Sequence, residues 1–249
     1  MIYYLYYKLK YGKFDEHAIS EASRNGDVKF LEWFKNSGYE FKYKKWAINH
    51  AINRASENGH VQVLEWFKNS GYKFKYDYWA INGASENGHI QVLEWFKNSG
   101  YEFKYDEWAI NYASENGHVQ VLEWFKNSGY EFKYDARAIN YAAMHGHIQV
   151  LNWFKNSGYE IKYFVWTINF AFYYKHNQVL ELLKNNFNVK NFIKLSNSDY
   201  DTIKHQTAIL IMGAGFRCVK NNITTSNYDY IKTIKYKNKN NYMKGYNKN

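Results

Sequence analysis

The chain has 249 residues, with 33 Lys or Arg against 23 Asp or Glu for a formal net charge of +10, and it is 46% hydrophobic and 21% aromatic. So much apolar surface excludes a wholly disordered chain, and the absence of proline excludes collagen-like and proline-rich linker architectures. The single cysteine, Cys218, excludes an intramolecular disulfide and a thiolate zinc cluster, so a reducing, intracellular setting is expected.

Residues 1–16 open with alternating Tyr and Leu among Lys8, Lys10 and Lys13, without the basic-then-apolar order of a signal peptide. Lys13-Phe14-Asp15-Glu16 is similar to Lys104-Tyr105-Asp106-Glu107, so this segment is read as an N-terminal cap or partial repeat. From there the chain repeats itself. Ala-Ser-Glu-Asn-Gly-His begins at Ala55, Ala84 and Ala113, 29 residues apart, and returns in altered form at Ala142 and Ala171. A second block, Leu-Glu-Trp-Phe-Lys-Asn-Ser-Gly-Tyr, begins at Leu31, Leu64, Leu93 and Leu122, and Leu151 opens a copy with Asn152 in place of Glu. The earliest copy, at Ala22, stands 33 residues before Ala55; its four extra residues lie in the doubled Ala47-Ile48-Asn49-His50 and Ala51-Ile52-Asn53-Arg54, which should lengthen one helix by about a turn. Six units result: 17–49, 50–78, 79–107, 108–136, 137–165 and 166–190.

Within one unit, Ala109, Ile110, Ala113 and Ser114 share a helical face that ends at Gly117, where glycine adopts positive φ without steric cost. Val121, Leu122, Trp124 and Phe125 then form the apolar stripe of a second helix that stops near Gly129. Tyr130-Glu131-Phe132-Lys133-Tyr134-Asp135 alternates aromatic with charged residues and predicts an extended link to the next unit. The apolar surface that one copy buries does not offset the conformational entropy of ordering it. Copies must therefore stack, so the pattern predicts an all-α helix-turn-helix solenoid stabilised by nearest-neighbour interfaces.

Trp108 to Gly129, with its Ala113, the Gly117-His118 pair and the run from Val121 to Phe125, resembles the ankyrin repeat, and the resemblance extends over residues 17–190, about seventy per cent of the chain. The wording is most similar to the short, Asn-, Lys- and Tyr-rich ankyrin repeats of large AT-rich DNA viruses of amoebae, which implies a location in the host cytoplasm or nucleus. Ala109 and Asn111 replace the family's proline and histidine, so Asn111 must make any hydrogen bond that the histidine makes. The link beyond Gly129 is about four residues shorter than in the ~33-residue family unit, which implies shortened finger loops.

The resemblance implies a monomeric, non-catalytic scaffold without a cofactor that binds a protein partner on the concave first-helix and link surface. Variation between copies concentrates there. Arg54, Gly83, Tyr112, Tyr141 and Phe170 follow the Ile-Asn pair, while Asn49, Tyr78, Glu107, Ala136 and Val165 precede the unit starts. Arg54, Tyr78, Glu107, Tyr112, Tyr141, Val165 and Phe170 are thus the candidate partner-binding residues.

Other periodic features have structural readings. His60, His89, His118, His147 and His176 form a ladder, but rungs roughly 8–10 Å apart do not share a zinc ion that needs ligands at about 2.0 Å. They are read as turn histidines bonded to local backbone. Glu65/Lys68, Glu94/Lys97 and Glu123/Lys126 are read as i, i+3 surface pairs, and Trp66, Trp95, Trp124 and Trp153 as core. No P-loop, dinucleotide glycine motif or nucleophile elbow occurs.

After Lys190 the period is lost. Residues 191–249 hold ten Lys or Arg against three Asp. Residues 191–220 are expected to supply a capping helix, and Ala208 to Phe216, their longest apolar run, reaches about half the length of a membrane span. Residues 221–249 read as a basic flexible tail in which Lys232, Lys235, Lys237 and Lys239 offer an alternative, electrostatic route to nucleic acid.

Overall fold

A computed structural model of the protein describes residues 6, 8–10, 16–37, 45–73, 75–163 and 167–186. Val165, the expected capping helix and the lysines of the tail lie outside the described residues. Among those described, every regular element is helical and none is a strand. The helices alternate as first and second members of successive pairs: α1 (Glu16–Arg24) and α2 (Val28–Asn36), α3 (Lys45–Glu57) and α4 (Val61–Asn69), α5 (Tyr78–Glu86) and α6 (Ile90–Asn98). The series continues with α7 (Trp108–Glu115) and α8 (Val119–Ser128), α9 (Ala136–Met144) and α10 (Ile148–Ser157), α11 (Thr167–Tyr173) and α12 (Asn177–Asn186).

The reversal inside each pair follows from glycine. Gly117 has φ +78°, His118 N donates to Ala113 O at 2.8 Å and Gly117 N to Ser114 O at 3.3 Å. These two bonds satisfy the terminal carbonyls of α7 and turn the chain directly into α8. At the other end of the first helices, Asp77, Asp106 and Asp135 accept bonds from the backbone N–H of Trp79, Trp108 and Arg137, satisfying donors that the helix leaves free. α3 runs for 13 residues where α5 has 9, so the doubled Ala-Ile-Asn tetrapeptide does add a turn. The boundary expected between residues 49 and 50 falls inside this helix.

The four interior pairs bury the same set. Ala109, Ile110 and Ala113 from α7 and Val121, Leu122 and Phe125 from α8 are fully covered, and Phe30, Phe67, Phe96, Phe125 and Phe154 are the largest fully buried side chains. First helices pack along one row and second helices along another, the first-helix row more extensively. Alanine at the first-helix contacts permits this close approach, whereas leucine and phenylalanine fill the wedge toward the second helices.

The link from Gly129 to Asp135 is neither helix nor strand, and its order comes from its rings. Phe132 stacks on Tyr159 of the next unit at 4.2 Å and on Trp153 at 5.4 Å, and Phe103 stacks on Tyr130 at 4.3 Å. Lys133 lies over Tyr105 at 4.7 Å, and Tyr105 donates to Glu131 O at 2.5 Å. Burial pushes the Tyr105 phenol up to about 12. The alternation seen in the sequence therefore separates rings that stack between units from charged residues that are exposed, as Glu131 is, or lie over a ring, as Lys133 does.

Candidate docking face

Two periodic features that invite a functional reading prove to be seams between repeats. His60 Nε2 donates to Arg24 O at 2.9 Å and His176 Nε2 to Met144 O at 2.9 Å, while the rings of His89, His118 and His147 bond the backbones of Glu57, Glu86 and Glu115. Each acceptor belongs to the preceding repeat, a correction to the local bond expected from the turn position. A carbonyl only accepts, so the ring nitrogen in each of these bonds carries the proton. Burial holds His89, His118 and His147 below the ordinary histidine range. Among the described residues, no three of His, Cys, Asp and Glu gather as metal ligands.

The glutamates and tryptophans of the second helices also answer to the neighbouring unit. Trp66, Trp95 and Trp153 donate through Nε1 to Glu32, Glu65 and Glu123 at 2.7, 2.8 and 2.7 Å. Lys68, Lys97 and Lys126 lie over the rings of Trp95, Trp124 and Trp153 at 5.9, 5.8 and 5.8 Å. The expected Glu–Lys surface pairs are therefore replaced by a Glu–Trp–Lys ladder along the outer row. The tryptophans, read as core, are half-buried at its rim, and of each stripe valine, leucine and phenylalanine are the fully buried members.

Asn111 takes up the role its position demands. It is fully buried, and its Nδ2 donates to Asp135 Oδ1 at 3.0 Å, while Asn82 reaches Asp106 at 2.7 Å and Asn53 reaches Asp77 at 3.1 Å. Each asparagine thus fixes the carboxylate that caps the next first helix.

The remaining first-helix side chains form one outward face. Positions i, i+4 and i+7 lie on one side of a helix, here Trp79, Gly83 and Glu86 on α5, Trp108, Tyr112 and Glu115 on α7, and Arg137, Tyr141 and Met144 on α9, with the C-caps Asn87, Asn116 and His145 following. Stacked helices arrange these positions in columns. Of the candidates named from the sequence, Arg54 pairs with Glu57 at 2.8 Å, Tyr112 stacks on Trp108 at 4.8 Å, and Tyr141 is half-buried beside them. Tyr78 is 43% exposed at the helix start and Glu107 lies 3.3 Å from Arg137. Phe170 occupies the same column as Tyr112 but is only 8% exposed, so it does not offer the exposed ring expected of it.

Sequence comparison between copies missed Trp79, Trp108, Arg137, Glu86 and Glu115, although each falls at a fixed helical offset from a varying residue. Trp79, at 46%, is the most exposed tryptophan among the described residues. Burial raises the Glu86 carboxyl, and the charges of Glu57 and Glu115 add to the effect; burial alone raises Glu115. For Asp135, burial opposes ionisation, but the hydrogen bonds and charge of Arg137, with a bond from Asn111, hold it below the usual carboxylate range.

No family model matches the sequence, and no curated protein matches it. Among solved structures, the ankyrin repeat domain of human ASB11 superposes with a TM-score of 0.55 at 14% identity, covering 72% of this chain and 87% of that one. Together with the paired helices and their glycine turns, this likeness defines an all-α, ankyrin-type helix-turn-helix solenoid with short links.

Proposed function

We propose that the array is a non-catalytic protein-interaction scaffold whose partner docks on the first-helix face and the adjoining link edge. The observation that supports this reading is the distribution of exposed rings. Within the described array the exposed large hydrophobic residues are Tyr78, Trp79 and Tyr174, and all three stand on or beside first helices. On the second helices, the glutamates and lysines are engaged by the tryptophan of the next repeat, which accounts for their constancy. The first-helix columns differ from unit to unit and carry large half-exposed rings, as docking anchors do. Arg54, Tyr78, Glu107, Tyr112 and Tyr141 are its proposed residues, and Val165 joins them by its place in the repeat. The wording of the repeats supports the short-repeat kind of amoebal DNA viruses, with the host cytoplasm as the place of action.

The test is affinity capture from extract of the producing cell, comparing the wild type with Tyr112→Ser/Tyr141→Ser and with the outer-row variant Gln91→Ala/Lys97→Ala. Capture lost only in the first variant supports the reading. Equal loss in both, or capture unaffected by the tyrosine changes, removes it.

A further inference from the structure

Inside the array, the chain itself shows how these columns hold a cation. The Arg137 guanidinium lies 3.9 Å over the Trp108 ring, with carboxylates of Glu107 at 3.3 Å and of Asp135 beside it, and Trp108 stacks in turn on Tyr112. An indole face, a carboxylate pair and a neighbouring ring together make a strong guanidinium seat.

One unit earlier the same kinds of group stand without a cation. Among the described residues no Lys or Arg lies over Trp79, which is 46% exposed. Gly83, itself buried, replaces the tyrosine that follows in the next copy, and a Cβ placed there would touch Glu57 at 3.4 Å. Trp79 therefore lacks the ring that Tyr112 stacks on Trp108. Glu86 makes no ion pair among the described residues, and Glu115 faces only His145, whose Nε2 is 3.6 Å away. Burial keeps His145 below the ordinary histidine range, so it is mostly uncharged at neutral pH. Glu57, Glu86 and Glu115 occupy equivalent positions in three successive units, and only Glu57 has a full counter-charge, from Arg54 at 2.8 Å. The face is therefore acidic and aromatic on a chain whose net charge is +10.

We propose that this face docks an extended Lys- and Arg-bearing segment of a protein partner, with one cation over the exposed Trp79 ring and further cations against Glu86 and Glu115. The proposal rests on the docking reading above and adds the chemistry of the occupant. Stacked helices repeat at roughly 8–10 Å. A polyproline II segment rises about 3.1 Å per residue with three residues per turn, so side chains at every third position share one face about 9 Å apart. The occupant accordingly carries its cations at i, i+3 and i+6. A phosphate backbone would meet three carboxylates here, so the chemistry selects a peptide over a nucleic acid.

Fluorescence anisotropy of labelled 12-residue peptides against the full chain, at ~50 mM salt where charge attraction is little screened, tests this. The probes are a peptide with Lys or Arg at every third position, one of the same composition with clustered cations, a neutral one, an acidic one, and a single-stranded RNA oligonucleotide. The spaced peptide should bind at least about five-fold more tightly than the clustered one. Glu86→Gln/Glu115→Gln and Trp79→Ala should each weaken it by roughly five-fold or more, with unchanged helical circular dichroism. The proposal is overturned if spacing is not read, if the spaced peptide binds both variants as it binds the wild type, or if RNA displaces it. A neutral or acidic peptide that binds in its place, and is lost on Tyr112→Ser, overturns the basic occupant but leaves the docking reading standing. If no probe responds to any first-helix variant, both fall.

Discussion

The glycine–histidine seam makes a quantitative prediction because the chain contains its own control. Gly117 and Gly129 both sit in the left-handed region, at φ +78° and +85°. An added Cβ at Gly129 meets nothing within 4 Å, whereas one at Gly117 would lie 2.8 Å from His147 Nδ1 and 2.9 Å from Gln149 Nε2. Gly129→Ala therefore carries only the backbone penalty, about 1 kcal/mol. Gly117→Ala carries that penalty and also displaces the ring that bonds the Glu115 backbone, adding about 1 kcal/mol for the hydrogen bond and more for the disturbed packing. The expected totals are ~1 kcal/mol at Gly129 and ~2–3 kcal/mol at Gly117, read from urea unfolding followed by helical circular dichroism. Removing the ring supplies the second half of the cycle. In a His147→Ala background the cost of Gly117→Ala should fall to the Gly129 level. Equal costs at the two glycines, or a Gly117 cost that persists without His147, would refute the claim that the seam rather than the backbone sets the requirement.

Asn111→Ala should cost about 1.5–3 kcal/mol, because it strips a fully buried donor from the Asp135 carboxylate, and a thermal melt indistinguishable from wild type would rule out that role. Asn111→Asp should be worse at neutral pH and should recover in part on acidification, since it sets two carboxylates side by side. Stability should also fall as the solution is acidified from neutral. Burial holds His50, His89, His118, His145 and His147 below 6.5, so the unfolded chain takes up protons first, and the stability present above about pH 6.5 is lost as pH drops through the folded-state values. Glu86 and Glu115 have raised values and act in the opposite sense, but their gain comes as they protonate at lower pH. Melting temperatures at pH 7.5 and 5.5 check the sign, and a flat or rising trend on acidification would contradict it.

The period, the helix pairs and the left-handed turn at Gly117 were legible because each is a local property: identical strings, a 3.6-residue stripe and a residue type suited to positive φ. What the sequence did not disclose was the addressee of each polar side chain. Glu65 has Lys68 three residues away, yet it accepts from Trp95, thirty residues on, because an exposed i, i+3 pair is worth only tenths of a kcal/mol. His60 lies in a turn, yet it donates to a carbonyl 36 residues back. In both cases the partner lies about one repeat away, since stacking turns a sequence offset of one period into spatial adjacency. The tryptophans were misplaced for a related reason. A stripe read along one helix does not reveal that the neighbouring helix covers Phe125 fully and leaves Trp124 at the rim.

The same translation rule explains how a docking face arises in an array of near-identical copies. Every difference within a column becomes a difference between side chains that touch. Arginine at 137 where the preceding unit has Trp108 creates a cation–π stack, and glycine at 83 where the next unit has Tyr112 leaves Trp79 without a stacked tyrosine. Neither change disturbs the alanines, leucines and phenylalanines that hold adjacent repeats together, because those project from the other side of the helices. Recognition chemistry can therefore change one column residue at a time while the seam stays constant. A test of binding should accordingly vary single column positions and leave the repeat count alone.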